Sequence, residues 1–270
     1  MRDDQRGGAS VYVRGFGSGP NRALLLHCAL AHSKVWAPLA AELSDQLTMV
    51  APDMPGHGRS AAFDGTHDLH DEATGNAAAN LDTGAHVIGH SFGATVALRL
   101  AMECPAKVQS LTLIEPVLFA AAAESDSEAF ATYVAASQGF GNALREGDWA
   151  VAAAKFISIW GDGRPWEALS EKERNLFAQQ MPFILETEPC LLEDANRLLA
   201  AGRLEGITCP TQLIRGANSE PVIAAIHATL ASRIPNAKDI VISGAGHMVP
   251  ITHPEPVAEQ IRSLLQLAAA

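Results

Sequence analysis

The chain has 270 residues, 48% hydrophobic and 18% charged, which suits one large domain or a domain with a sizeable insertion and excludes a disordered chain. Lys and Arg number 19 against 30 Asp and Glu, a net charge of −11. That balance argues against a nucleic-acid partner and against docking on anionic lipid, since both need clustered basic residues.

No apolar run approaches the ~20 residues of a membrane span, and the opening "MRDDQRGGAS" lacks the apolar stretch of an export signal. The four cysteines, Cys28, Cys104, Cys190 and Cys209, form no C-x-x-C pair. Zinc and a redox dithiol are therefore not expected, and reduced thiols in the cytoplasm are the simplest reading.

Seven strand-length apolar runs follow in chain order: "SVYVRGF", "ALLLH", "LTMVAPD", "AHVIGH", "VQSLTLIEP", "TQLIRG" and "KDIVISG". Several are apolar at nearly every position, as strands buried on both faces of a parallel sheet are. Helical patterns lie between them, at about 36–46, 68–81, 93–104, 222–234 and 254–267. The alternation predicts an α/β fold, a mostly parallel doubly wound sheet with helices on both faces and the first run antiparallel at an edge. One segment, 117–204, contains no convincing strand and is rich in alanine. It predicts an inserted helical cap, leaving 1–116 and 205–270 as the core. The insertion starts just past "LTLIEP", at the carboxyl edge of the sheet, where ligand sites form.

The fourth run leads into "GHSFG", a G-x-S-x-G motif between a strand and a helix. In that context the turn is sharp, glycines at 89 and 93 leave room for neighbouring elements, and Ser91 is lifted clear at the sheet edge. The N-terminus of the following helix adds N–H groups and a positive dipole end for a developing oxyanion. Serine is a weak nucleophile at neutral pH and needs a base. His247, in "VISGAGHMVPITHPEPV" after the last strand, is the best placed of the ten histidines. His253 reads as a turn or cap residue.

At this point the chain resembles the α/β-hydrolase superfamily. "LLLHCALAHSKVW" is similar to its histidine-glycine oxyanion loop, and "VAPDMPGHGRS" to the D-x-P-G-H-G-x-S segment. "GHSFG" is similar to its nucleophile elbow, "PTQLIRGANSEPV" to its acid segment and "GAGHMVPITHPEPV" to its histidine loop. Serine at the elbow resembles the branch of esterases, lactonases, carbon–carbon bond hydrolases and cofactor-free haloperoxidase-like proteins. The resemblance implies oxyanion donors at the Phe92 and Ala29 N–H groups, and His27, Cys28 and Trp36 beside the substrate. His32 is a further candidate for the pocket, and core burial of Trp36 is an equal reading. Cys28 stands where the family usually has glycine, which puts the second donor in question. His57 reads as holding a turn through hydrogen bonds.

The acid is left open. The family pattern expects aspartate where Asn218 and Ser219 stand. Glu220 is one position further, followed by Pro221. Glu115 ends the strand after the elbow, where a carboxylate is costly unless paired. Glu115 is the first candidate and Glu220 the alternative.

"THDLHDEA" invites a metal reading, but H-x-x-H has the wrong spacing for one helical face, and Asp68 reads as a helix cap. No metal and no cofactor are expected. The reading is a serine hydrolase cleaving a small, mostly apolar ester or lactone through an acyl-enzyme on Ser91. Two alternatives stay open. One is a carbon–carbon bond hydrolase, which would need an anion site; Arg145, Arg164 and Arg174 read as surface residues. The other is a ligand-binding member that lost the acid.

Overall fold

The computed structural model describes residues 10–268. Residues 1–9 and 269–270 of the expected core segments, including nearly all of the opening stretch inspected for an export signal, lie outside the described residues. The seven apolar runs form one sheet of β1 (Val13–Phe16), β2 (Asn21–Leu26), β3 (Leu47–Pro52), β4 (Ala85–His90), β5 (Val108–Ile114), β6 (Thr211–Gly216) and β7 (Ala237–Ile242). Their order is β1-β3-β2-β4-β5-β6-β7. β1 pairs antiparallel with β3 at one edge, and every other neighbouring pair is parallel.

Burial on both faces explains the strand composition. All six residues of β4 are buried. Along β2, Leu24 and Leu26 enter one core layer while Ala23 and Leu25 enter the other. The first layer takes α2 (Leu69–Ala79), α3 (Phe92–Glu103) and α8 (Pro221–Arg233). The second takes α1 (Ala37–Glu42), the short α9 (Val249–Thr252) and α10 (Pro254–Ala268). The doubly wound, mostly parallel architecture is thus present. Asp68 caps α2 by accepting the Asp71 N–H at 2.8 Å, as its position before the helix predicts.

Between β5 and β6 the chain carries α4 (Phe119–Ser125), then a helical insert of α5 (Ser127–Glu146), α6 (Trp149–Trp160) and α7 (Glu171–Glu193). Asp126 and Asp148 cap α5 and α6, and Ser170 with Glu173 forms a capping box on α7. α7 runs through Pro182 and Pro189. Both prolines are exposed, so their rings point away from the core.

Two glycines make the Ser91 turn possible. A Cβ at Gly89 would strike the Gly93 carbonyl, and a Cβ at Gly93 would strike the Leu26 carbonyl. The neighbouring strand and helix approach too closely for any side chain.

Candidate active site

Ser91 sits between β4 and α3 with φ 56° and ψ −119°. This left-handed conformation is costly for a residue with a side chain. Its N–H donates to the Ile114 carbonyl of β5 at 2.9 Å, which ties the turn to the sheet. Glu115, at the end of β5, has φ 51°, and Leu30, in the loop after β2, has φ 60°. Three of the five described non-glycine residues with positive φ therefore lie at this site, as strain held at functional positions does.

His247 joins two of them. Its Nε2 is 3.0 Å from Ser91 Oγ, and its Nδ1 is 3.0 Å from Glu115 Oε2. A carboxylate only accepts, so Nδ1 carries the proton and Nε2 presents its lone pair to Ser91. Glu115 is fully buried, yet its other oxygen is satisfied. Oε1 accepts the Gly216 N–H at 2.6 Å and the Ser219 hydroxyl at 2.5 Å. Burial raises the carboxyl's proton affinity. The hydrogen bond and charge of His247, with the Ser219 and Gly216 donors, outweigh it and leave the pKa below the ordinary glutamate value.

Two further residues fix the imidazole. The His90 Nε2–H donates to the His247 carbonyl at 2.9 Å. Burial, then the nearby His247, lowers the His90 pKa to about 3, so this ring stays neutral. The Trp160 ring from the insert stands edge-on to His247 with centroids 4.8 Å apart.

Glu220 is elsewhere. It is exposed at the N-terminus of α8 and lines a surface groove, away from the bond that Glu115 makes to His247. Ser219, standing where the acid-segment resemblance expects aspartate, instead hydrogen-bonds Glu115 from the neighbouring strand end. The pairing of Ile114 with Ile214 brings those two ends together.

Ser91, Phe92 and Ala29 line a cavity of about 180 Å³ under the insert. Val117, Phe119, Tyr133, Phe140, Phe156, Trp160 and Leu191 make most of its wall apolar. The N–H groups of Phe92 and Ala29 donate to no group among the described residues. Phe92 is the first residue of α3, so its N–H is one of the donors a helix start leaves free.

The residues expected beside the substrate divide. Trp36 does not line this cavity: it is 1% exposed and packs in the second core layer, because the turn Ser33–Trp36 rotates its ring under the sheet. His27 is fully buried and held by backbone groups of the loops around it. Cys28 is also buried, and burial pushes its thiol up to about 12, so it is no nucleophile near neutral pH. Its backbone lacks a positive φ; the left-handed residue of this loop is Leu30. Cys28 and Ala29 line a second cavity of about 190 Å³ that shares Phe156 and Trp160 with the first. His32 is exposed. Arg145, expected on the surface, is exposed but also lines the first cavity near Glu188, while Arg164 pairs with Asp162 and Glu173. Among the described residues no cluster of three or more His, Cys, Asp or Glu side chains could hold a metal, and no helix is long and apolar enough to cross a membrane.

The protein-family model described as "Alpha/beta hydrolase family" matches residues 23–260. The chain belongs to the alpha/beta hydrolase family. This alpha/beta hydrolase is 30% identical over 267 residues to lipase LipV of Mycobacterium tuberculosis, across 94% of its own chain and 97% of the relative. It is 26% identical over 259 residues to the pimeloyl-[acyl-carrier protein] methyl ester esterase of Nitrosomonas europaea, across 92% and 96% of the two chains. Its fold matches that of an alpha/beta hydrolase from Sphaerobacter thermophilus, with a TM-score of 0.70 at 21% identity over 96% and 97% of the chains. It also matches Est816, described as an N-acyl homoserine lactone degrading enzyme, with a TM-score of 0.65 at 20% identity over 96% and 98%. The relatives include esterases, lipases and lactonases.

Proposed function

We propose that this chain is a serine hydrolase that cleaves a small, mostly apolar ester or lactone through an acyl-enzyme on Ser91. The observation that carries the reading is the His247 ring bridging Ser91 Oγ and Glu115 at 3.0 Å on each side.

In this mechanism Ser91 Oγ attacks the substrate carbonyl while His247 Nε2 takes its proton. Glu115 holds the Nδ1–H tautomer and stabilises the imidazolium. The carbonyl oxygen gains negative charge, which the Phe92 and Ala29 N–H groups receive, and each such donor is worth about 10²–10³ in rate. As the carbonyl reforms, the bond to the leaving oxygen breaks and that oxygen takes the proton from His247. A water then attacks the acyl-enzyme, giving its proton to His247, and Ser91 departs with that proton. No step calls on a cofactor. Residues 117–204 act as the cap over the site, and 10–116 with 205–268 form the described part of the core.

An apolar cavity of about 180 Å³ supports a small acyl group. For scale, an apolar cavity of about 150 Å³ accepts benzene. The carbon–carbon hydrolase reading is weaker, because among the described residues Arg145 is the only arginine of the cavity wall and Glu188 stands near it. The binding-protein reading requires the acid to be lost, whereas Glu115 faces His247. Four free thiols among the described residues support a cytoplasmic location. The test is a panel of p-nitrophenyl esters and lactones run on the wild-type protein and Ser91→Ala. Turnover that disappears in the variant supports the proposal, and turnover that survives overturns it.

A further inference from the structure

The proposed chemistry needs the Ala29 N–H aimed at the cavity, and the loop carrying it has little regular structure. Residues 27–33 are held instead by the segment 53–57. The Met54 N–H donates to His27 Nε2 at 2.9 Å, and the Leu30 N–H donates to His57 Nε2 at 3.0 Å. Each loop thus contributes one imidazole that accepts a backbone N–H from the other. The two rings lie 5.4 Å apart.

Because each Nε2 accepts, each Nδ1 must carry the proton in the neutral ring. The His27 Nδ1–H donates to the Cys28 carbonyl at 2.7 Å, and the His57 Nδ1–H donates to the Pro55 carbonyl at 2.9 Å. Both rings are buried, and burial above all lowers their pKa values, to about 3 for His27 and about 4 for His57, so both stay neutral at working pH.

These bonds control two successive peptide planes. The Cys28 carbonyl and the Ala29 N–H belong to one peptide, and in a trans peptide they point in opposite directions. Holding the carbonyl on His27 turns the Ala29 N–H the other way. The next peptide is held through the Leu30 N–H on His57. Leu30 has φ 60°, a conformation that strains a residue with a side chain. Without the His57 acceptor, that strained turn has a cheaper conformation to relax into.

We propose that His27 and His57 form a reciprocal clasp that positions the Ala29 N–H for the transition state. They are positioning residues and do not touch substrate, which replaces the substrate-binding role that resemblance implies for His27. The inference rests on the serine hydrolase reading.

Two substitutions at 57 separate the two ring nitrogens. Asparagine reaches only as far as Nδ1, so His57→Asn keeps the donor to Pro55 and removes the acceptor for Leu30. Glutamine reaches the Nε2 position, so His57→Gln keeps that acceptor and loses the Pro55 bond. With a p-nitrophenyl ester, His57→Asn should lose about 10- to 100-fold in kcat with KM within about threefold, while His57→Gln stays within about fivefold of wild type. Amide hydrogen exchange read at Leu30 should accelerate in His57→Asn alone.

A His57→Asn enzyme with kcat within about threefold of wild type, or a His57→Gln enzyme as damaged as His57→Asn, overturns the clasp. So does a Leu30 amide equally protected in all three proteins. If the exchange pattern is as stated but the wild type shows no Ser91-dependent turnover, the loops are clasped and the serine hydrolase reading has failed, taking the positioning role with it.

Discussion

Replacing Glu115 by glutamine tests the acid with almost no change of shape. Its Oε1 receives two donors, the Gly216 N–H at 2.6 Å and the Ser219 hydroxyl at 2.5 Å, so the amide oxygen must occupy that side. The amide NH₂ then faces His247 Nδ1, 3.0 Å away in the wild type. Two donors cannot share that contact, so the ring takes the other tautomer, with the proton on Nε2. Ser91 then faces a donor where it needs an acceptor. A wrong-tautomer histidine in a triad lowers kcat about 10⁴-fold, which is ~5.4 kcal/mol at about 1.36 kcal/mol per decade. We expect Glu115→Gln to lower kcat by about 10³- to 10⁴-fold with little change in KM, because the side chain does not reach the substrate. The assay is steady-state hydrolysis of a p-nitrophenyl ester, with Glu220→Gln alongside. A loss below about tenfold in Glu115→Gln, with a large loss in Glu220→Gln, would refute the assignment of the acid.

Other consequences follow from the same geometry. Ser219→Ala removes one of the two donors to Glu115 Oε1, and a hydrogen bond to a charged group is worth about 1.5–3 kcal/mol, partly retained here by Gly216. A kcat loss of about 3- to 10-fold is expected, and an unchanged rate would show that Ser219 does not help orient the acid. Leu191→Trp narrows the cavity and should lower kcat/KM for hexanoyl relative to acetyl esters by about tenfold or more, read from the ratio across the acyl series. Stability should fall with acid, because His27, His57, His70 and His90 are buried and neutral, with pKa values lowered to about 3 or 4. In the unfolded chain each takes a proton near pH 6.5, so their stabilisation is complete above that pH and is lost as pH falls from there toward 4 and 3. A thermal midpoint that stays level between pH 6.5 and 4.5 would contradict this.

Much of the fold is legible in the sequence because burial on two faces leaves an unmistakable composition. Each of the seven apolar runs overlaps a strand, and the switch from β4 to α3 around Gly89 and Gly93 marks Ser91. The carboxylate partner of His247 is not legible to the same degree. Glu115 and Glu220 both follow strands, and only the alignment of β5 with β6 decides which carboxylate meets His247. Ser219 carried a signal, a hydrogen-bonding residue where an acid is expected, but its partner lies 104 positions away. Trp36 follows the oxyanion loop in sequence, yet one turn of 3₁₀ helix sends its ring into the opposite core layer. The sequence sets no bounds for the helices of the insert, and α7 runs through Pro182 and Pro189 because both stay exposed within it. Trp160 belongs to a helix remote in sequence from His247, and nothing local marks their contact.

Under the proposed function Ser91 is an activated nucleophile. Intact-mass measurement after exposure to a fluorophosphonate tests it without knowledge of the substrate. We expect one stoichiometric adduct on the wild-type protein and none on Ser91→Ala. An unmodified wild-type protein at high probe concentration, or an adduct that persists in Ser91→Ala, would contradict it.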